Sequence, residues 1–440
     1  MSHHGGIPMI PLGIPDARTL LSIWVSIVGS SQSPRLAATI VELVVGSMLS
    51  RRGHITQALL SIVPGRGWQA YFWALERGGF RLLSLIRAVC AVAADAHPGG
   101  RLFFALDDTF IPRASKKAPD SVVTHMHTRK PNQPEFMLGQ TVVCLGLVVP
   151  SSDGTVERAV PLAAGFGLKP EHHGKLGRAA ALLRCVAGCF QGAKTLLMDS
   201  WYMKAHLVSA AMRLGFDVVG NVRRDTALYA PAPPRSGRRG RPKVKGDRIE
   251  EASLPRVTPK QTFSFYGGKR IRFRTAVCLA GFLELRKVRA VWLELADPKT
   301  PDRWSKPRLL LSTDPSLDPI SVVLAYAKRW SVEDLFSVLK QGEGMKDLWM
   351  RTRRTYLRWL HVLFAGCALV QLLALRCGPE LLSGLPNMGW RRGLRATAGM
   401  AKSVLPSIFG DLRIRRRWDG RRRKFDLFRA EIAPVLVRAG

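Results

Sequence analysis

Tyr326, Arg329, Glu333 and Lys340 carry the sharpest chemical signal in the sequence. Asp318-Pro319 reads as an N-cap followed by proline at the first helical position, so a helix is expected to carry all four. At about 100° per residue they point at roughly 0°, 300°, 340° and 320°, a stripe no more than ~60° wide. An aromatic hydroxyl, two cations and a carboxylate make a poor core-facing surface. They suit a site that binds phosphate while positioning a metal ligand. Taken alone, the stripe reads better as a solvated face with an Arg329–Glu333 pair, worth only a few tenths of a kcal/mol. Ser331-Val-Glu-Asp334 could also cap a fresh helix and break the face.

Two more carboxylates end short apolar runs. Leu102-Phe-Phe-Ala-Leu106 leads into Asp107-Asp108, and Lys194-Thr-Leu-Leu-Met198 leads into Asp199. Both runs read as strands, and α/β sheets place much of their chemistry just past strand ends. Gln140–Pro150 and Val156–Phe166 read as a hairpin about the turn Ser151-Ser-Asp-Gly154. Helices are expected over Gly177–Phe190 and Tyr202–Leu214, with a fifth strand over Phe216–Val222. Three strands, then helix, strand, helix and strand, is the layout of an α/β RNase H-like mixed sheet flanked by helices.

The rest divides by texture. Residues 1–98 are expected to form an N-terminal helical domain, with Arg51, Arg52 and His54 hinting at a DNA-binding head as readily as a structural cap. Residues 99–223 would be the first part of the core. Residues 224–308 alternate in a strand-like way, as in Phe263-Ser-Phe-Tyr266, and read as a β-rich insertion outside the main sheet. Residues 309–376 would complete the core with the Glu333 helix, and 377–440 form a basic C-terminal region.

The motifs in order resemble a known family. Tyr-x2-Arg-x3-Glu-x6-Lys is similar to the helix signature of one large group of bacterial insertion-sequence transposases of the DDE type, and Tyr326, Arg329, Glu333 and Lys340 match every position. Leu106-Asp107-Asp108-Thr109 resembles the group's first Asp motif, and Leu196-Leu-Met-Asp199-Ser-Trp-Tyr202 its second. The 134 residues from Asp199 to Glu333 resemble its β-rich insertion. The resemblance covers about residues 100 to 375. It implies cut-and-paste DNA transposition by two-metal phosphoryl transfer, with Mg²⁺ as the cofactor (two ions) and Mn²⁺ as a substitute. Asp107 would bridge both ions while Asp199 and Glu333 each hold one; Asp108 leaves the first assignment open, with Asp107 favoured. Arg329 and Lys340 would grip phosphates, and Tyr326 would orient the strand. The partners implied are double-stranded DNA, as terminal inverted repeats and target, and a second copy of the chain on that DNA.

Composition agrees. With 67 Lys and Arg against 32 Asp and Glu the chain carries +35, and a nucleic-acid backbone is the usual partner of such a surface. Seven scattered cysteines without a C-x-x-C pair argue for reduced thiols in a cytoplasmic, nucleoid-associated protein. Cys185 and Cys189 are expected on one helix face. The apolar run Trp359–Leu375 is interrupted by His361 and Gln371, and Arg358 and Arg376 close it short of the ~20 residues of a membrane span. A buried core helix is the better reading.

Three basic elements extend the expected DNA surface. Arg238-Arg-Gly-Arg-Pro-Lys243, with Arg239 and Arg241, resembles an AT-hook core and reads equally as a basic flexible loop. His127-Thr-Arg-Lys-Pro-Asn132 could line a DNA channel. From Arg391 to Gly440 there are 14 basic and 4 acidic residues, with Trp418 and Phe425 interleaved. The pair His172-His173 lacks companions at ligand spacing and reads as a loop. Rival classes are a non-catalytic DNA-binding derivative and a structure-selective nuclease of the same fold.

Overall fold

The Val- and Leu-rich stretch Phe136–Pro150 is the longest strand described and lies near one edge of the sheet, where it pairs with three others. The computed structural model describes residues 16–126, 134–167, 174–234, 241–260, 268–297, 299–300, 302–385 and 395–428. Five helices come first: α1 (Ala17–Ser30), α2 (Pro34–Leu49), α3 (Ile55–Leu60), α4 (Trp68–Glu76) and α5 (Leu82–Ala96). There follow β1 (Leu102–Pro112), β2 (Val122–His125), β3 (Phe136–Pro150), β4 (Glu157–Phe166), α6 (Gly174–Val186), β5 (Lys194–Met198), α7 (Ala205–Arg213) and β6 (Phe216–Val222). Then come β7 (Leu228–Tyr229), β8 (Ile271–Ala280), β9 (Arg286–Leu295), β10 (Arg308–Ser312), α8 (Pro319–Lys328), α9 (Ser331–Ser337) and α10 (Arg353–Arg376). The chain closes with α11 (Gly378–Ser383), α12 (Ala398–Phe409) and the short pair β11 (Trp418–Asp419) and β12 (Lys424–Phe425).

One mixed sheet carries β1 to β10 in the order β2-β3-β1-β5-β6-β10-β9-β8-β7, with β4 paired to β3 beside β2. Strands β1, β5 and β6 are parallel, and the remainder pair antiparallel. The expected α/β layout of a mixed sheet flanked by helices is present. The region 224–308 departs from expectation, because its strands join the main sheet through β10, which pairs with β6. Alternating sequence marks a strand but does not choose its neighbour, and β6 offered an open edge. The first strand is also longer than its apolar run: Asp107 and Asp108 lie inside β1, which ends at Pro112. Phe263 to Tyr266 fall outside the described residues.

The sheet faces differ. On one, α8 packs over Leu197, Val219, Val291, Leu293 and Leu310. On the other, Phe104 packs edge to face with Phe190 and Phe216, in a core that also takes in the N-terminal helices and α10. Helix α10 is long and apolar enough to cross a membrane, yet 89% of its apolar window is buried within the protein. His361 on it is satisfied, with Nδ1 against Leu357 O and Nε2 accepting from Ala164 N–H, and burial holds its pKa down at about 4. The cysteines are free thiols. Cys185 and Cys189 do not share a helix, because α6 ends at Val186 and Cys189 lies in the following 3₁₀ turn.

The C-terminal region corrects another expectation. Trp418 and Phe425 pair across β11–β12 and are buried in the core against α1, not presented between surface charges. Several tail arginines have internal work: Arg415 pairs with buried Glu42, and Arg423 donates to Ser30 and Gln32 carbonyls. Deeper still, the Lys402 ammonium reaches Glu343 at 2.7 Å and the carbonyls of Ser47, Ser50 and Gly342. Both side chains are almost wholly buried, so one interaction ties α12, the end of α2 and the segment after α9. Removing one partner would strand a buried charge, which typically costs 3–5 kcal/mol. Lys402→Met is therefore expected to lower unfolding free energy by about 3 kcal/mol or more in urea melts, whereas Lys402→Met combined with Glu343→Leu recovers most of it.

Candidate active site

Parallel pairing sets Asp107 and Asp199 side by side. The register matches Ala105 of β1 with Leu197 of β5, so Asp107, two residues further on within β1, and Asp199, just past the end of β5, leave the sheet on the same side of that pairing and feel one another's charge. Successive side chains on a strand leave by opposite faces, which separates the Asp107-Asp108 pair. Asp107 turns toward α8 and α9, where Arg329 Nη1 reaches it at 3.1 Å. Asp108 turns the other way and accepts from Lys175 Nζ at 2.9 Å and from the Tyr202 hydroxyl at 2.7 Å. Burial and the Asp108 carboxylate push the Tyr202 phenol far up, so it stays a donor.

Arg329 brings in the third carboxylate. Its Nη2 donates to Glu333 Oε1 at 3.0 Å, so one guanidinium bridges Asp107 and Glu333. The Arg329 side chain is 8% exposed, and among the described residues its Nε has no hydrogen-bond partner. Tyr326 is buried beside it, and burial, with Asp199 nearby, raises the phenol pKa.

The helix carrying these residues is not straight. Asp318 caps α8 by accepting from Ser321 N–H, with Pro319 at the first helical position, as expected. At Arg329 and Trp330 the backbone stays right-handed but tightens, with Arg329 N–H bonded to Tyr326 O and Glu333 N–H to Trp330 O. Beyond Ser337 it widens into a π-turn, Val338–Gly342. The one continuous helix expected from the sequence is therefore broken, with a fresh helix starting at Ser331; Arg329 still reaches Glu333 across the break, and Lys340 lies half-buried on the π-turn.

Asp199 is fixed by its own turn, since Oδ1 accepts the N–H groups of Trp201 and Tyr202 at 3.0 and 3.2 Å. Trp201 is exposed, with Lys175 Nζ 3.9 Å from its ring centroid. Lys175 had no local signal in the sequence, because it meets Asp108 only once α6 lies against the sheet. Arg241 is exposed, whereas His127, Arg239 and His172-His173 lie outside the described residues.

Three carboxylates offer hard oxygens of the kind Mg²⁺ prefers, and the site is short of positive charge. Burial raises the Asp107 carboxyl to about 7; the Asp108 N–H and Arg329 act against this and Asp199 adds to it. The chemistry of the donor set thus fits divalent cations. Among the described residues, no group of three or more His, Cys, Asp or Glu side chains is gathered as a metal-holding cluster. Arg329 is the positive charge that stands between Asp107 and Glu333.

Asp107 within β1 and Asp199 just past the end of β5 thus lie near one another, and Arg329 joins Asp107 to Glu333. A family model described as DDE superfamily endonuclease matches residues 35–277, more than half of the chain, and the chain belongs to that family. The match spans Asp107 and Asp199 and stops before Glu333. No curated protein matches the chain.

Asp107 makes pH a probe of this site. Its folded pKa, about 7, lies above the unfolded value near 4, so folding favours the protonated form. Its stabilising contribution is full below about pH 4 and is lost as pH rises through about 7. In metal-free protein, Asp107→Asn is expected to match the wild type near pH 4 and to exceed it above pH 7 by roughly 1–4 kcal/mol. Urea melts across that range check it; equal slopes for the two proteins would count against a strained carboxyl.

Proposed function

We propose that the chain is a DNA transposase of the bacterial insertion-sequence group with the Tyr-Arg-Glu-Lys helix signature, cutting and rejoining DNA at the ends of its own element. The observation that carries this reading is the convergence of Asp107 and Glu333 on Arg329, with Asp199 close by, just past the end of the strand beside Asp107. Membership of the DDE endonuclease family supports it.

In this reading Asp107, Asp199 and Glu333 are the catalytic carboxylates and would hold two Mg²⁺ ions, or Mn²⁺ in their place. Bound there, the ions supply activation of an attacking water or 3′-hydroxyl and stabilisation of the leaving oxygen. Asp108 serves as a positioning residue, holding Tyr202 and through it the turn that aims Asp199. Arg329, already fork-shaped between two carboxylates, exchanges part of that pairing for phosphate oxygens beside the scissile bond. Tyr326 orients the strand, and Lys340 grips a neighbouring phosphate. Exposed Arg241 would contact DNA, and Arg239 and His127, which lie outside the described residues, are proposed as further DNA contacts. The substrate is duplex DNA with terminal inverted repeats, engaged by two copies of the chain at the nucleoid in the cytoplasm. The family's description as an endonuclease also favours a narrower reading, cleavage without joining.

Cleavage of the element's inverted repeats with Mg²⁺ tests the first claim. Asp107→Ala, Asp199→Ala and Glu333→Ala are each expected to lose several kcal/mol of transition-state stabilisation, about a thousandfold or more in rate. Asp199→Ala cutting at the wild-type rate would sink the enzyme reading. Arg329→Lys is expected to stay well below wild type, because a lysine cannot bridge two carboxylates or grip a phosphate bidentately. Supplying a pre-cleaved end separates the two readings, since only a transposase joins it to target DNA.

A further inference from the structure

The segment after the Lys340 turn builds a second charged face that the carboxylate site does not use. Its backbone is pressed against the α2–α3 connection. Gly344, at φ +67°, lies so close to Gly53 that a Cβ on Gly53 would sit 1.9 Å from Gly344 O. The Trp359 indole donates to Gly53 O at 2.7 Å, and Asp347 holds Arg52 at 3.8 Å. Beneath the same segment, Arg113 donates to Lys346 O and to the Tyr356 hydroxyl. Two loops far apart in sequence are thus fixed as one rigid ledge at the N-terminus of α10.

The ledge presents an excess of cations. Arg51, Lys346, Arg351 and Arg354 are exposed on it and have no carboxylate partner among the described residues. Arg52 and Arg353 share Asp347 and Asp120, and the indole of Trp349 stands 48% exposed among them. Holding like charges together on a fixed backbone costs repulsion that only a polyanion relieves. Exposed arginines with an interleaved aromatic match a sugar–phosphate backbone in both charge and shape.

We infer that this ledge is a second DNA-binding face, gripping duplex backbone beyond the segment held at Asp107, Asp199 and Glu333. The inference rests on the transposase reading for its substrate and adds a surface to it. Entry of Arg51 and Arg52 through the Gly53–Gly344 contact makes the helical N-terminal region part of that grip.

The test is binding of a short random-sequence DNA duplex to the full chain without divalent metal, across a series of KCl concentrations. Each lost phosphate contact reduces the salt slope by about 0.9. Arg351→Ala with Arg354→Ala is expected to flatten the slope by about 2 and weaken binding roughly ten- to a hundredfold at 0.1 M salt. The control removes two exposed charges on the outer strands, Arg286→Ala with Lys287→Ala, and is expected to change the slope by less than half as much. Equal effects of the two pairs would overturn the ledge while leaving the transposase reading intact. A wild type that binds no DNA would overturn both, and an RNA duplex bound in preference through the same arginines would overturn DNA as the occupant.

Discussion

The site depends on positive charge being brought to a partly buried place where negative charge is concentrated. Asp107 sits inside a strand of the central sheet and not at its frayed end, so its carboxylate is largely desolvated before any partner is counted. A buried anion of this kind is tolerable only if something positive is brought to it. Arg329 does so while reaching Glu333 with its other arm, and the tight turn between α8 and α9 is what lets one residue serve both. The face of α8 that covers the sheet, the fixed turn after β5 and the Asp108–Tyr202–Lys175 contacts all hold this charge arrangement in register.

Much of the scaffold was legible because burial leaves a periodic trace. The apolar runs at 102–106, 140–150, 156–166, 194–198 and 216–222 all lie within strands, and the cap at Asp318-Pro319 opens a helix where expected. The run from Trp359 to Leu375 lies in a helix enclosed by the protein. What stayed hidden was set by long-range partners. Residues 107–112 continue β1 although the polar Asp107, Asp108 and Thr109 break the apolar pattern, since β3 provides the ladder. Strands β8 to β10 were recognisable as strands, yet nothing local announced that β6 would accept β10.

Of the residues the sequence singled out, Arg329 contacts Asp107 and Glu333, but not by the single helix face expected. The helix breaks between Lys328 and Ser331, and Arg329 bridges the break because the tightened turn keeps the right-handed sense. Lys340 escaped the same reasoning because a π-turn changes the angle per residue, which no residue type there signals. Trp418 and Phe425 mislead in the opposite sense: flanked by arginines they look like a binding surface, but those arginines cap carbonyls and buried acids while the rings complete the core.

The 222 residues separating Asp107 from Arg329 have a consequence for how the molecule comes into being. A ribosome must release α8 and α9 before the first aspartate meets its counter-charge, and contacts so distant in sequence close late and slowly. A chain cut short anywhere before Arg329 would carry Asp107 in β1 with neither the guanidinium nor Glu333 to meet it, so the last third of the sequence completes the charge balance of the first strand.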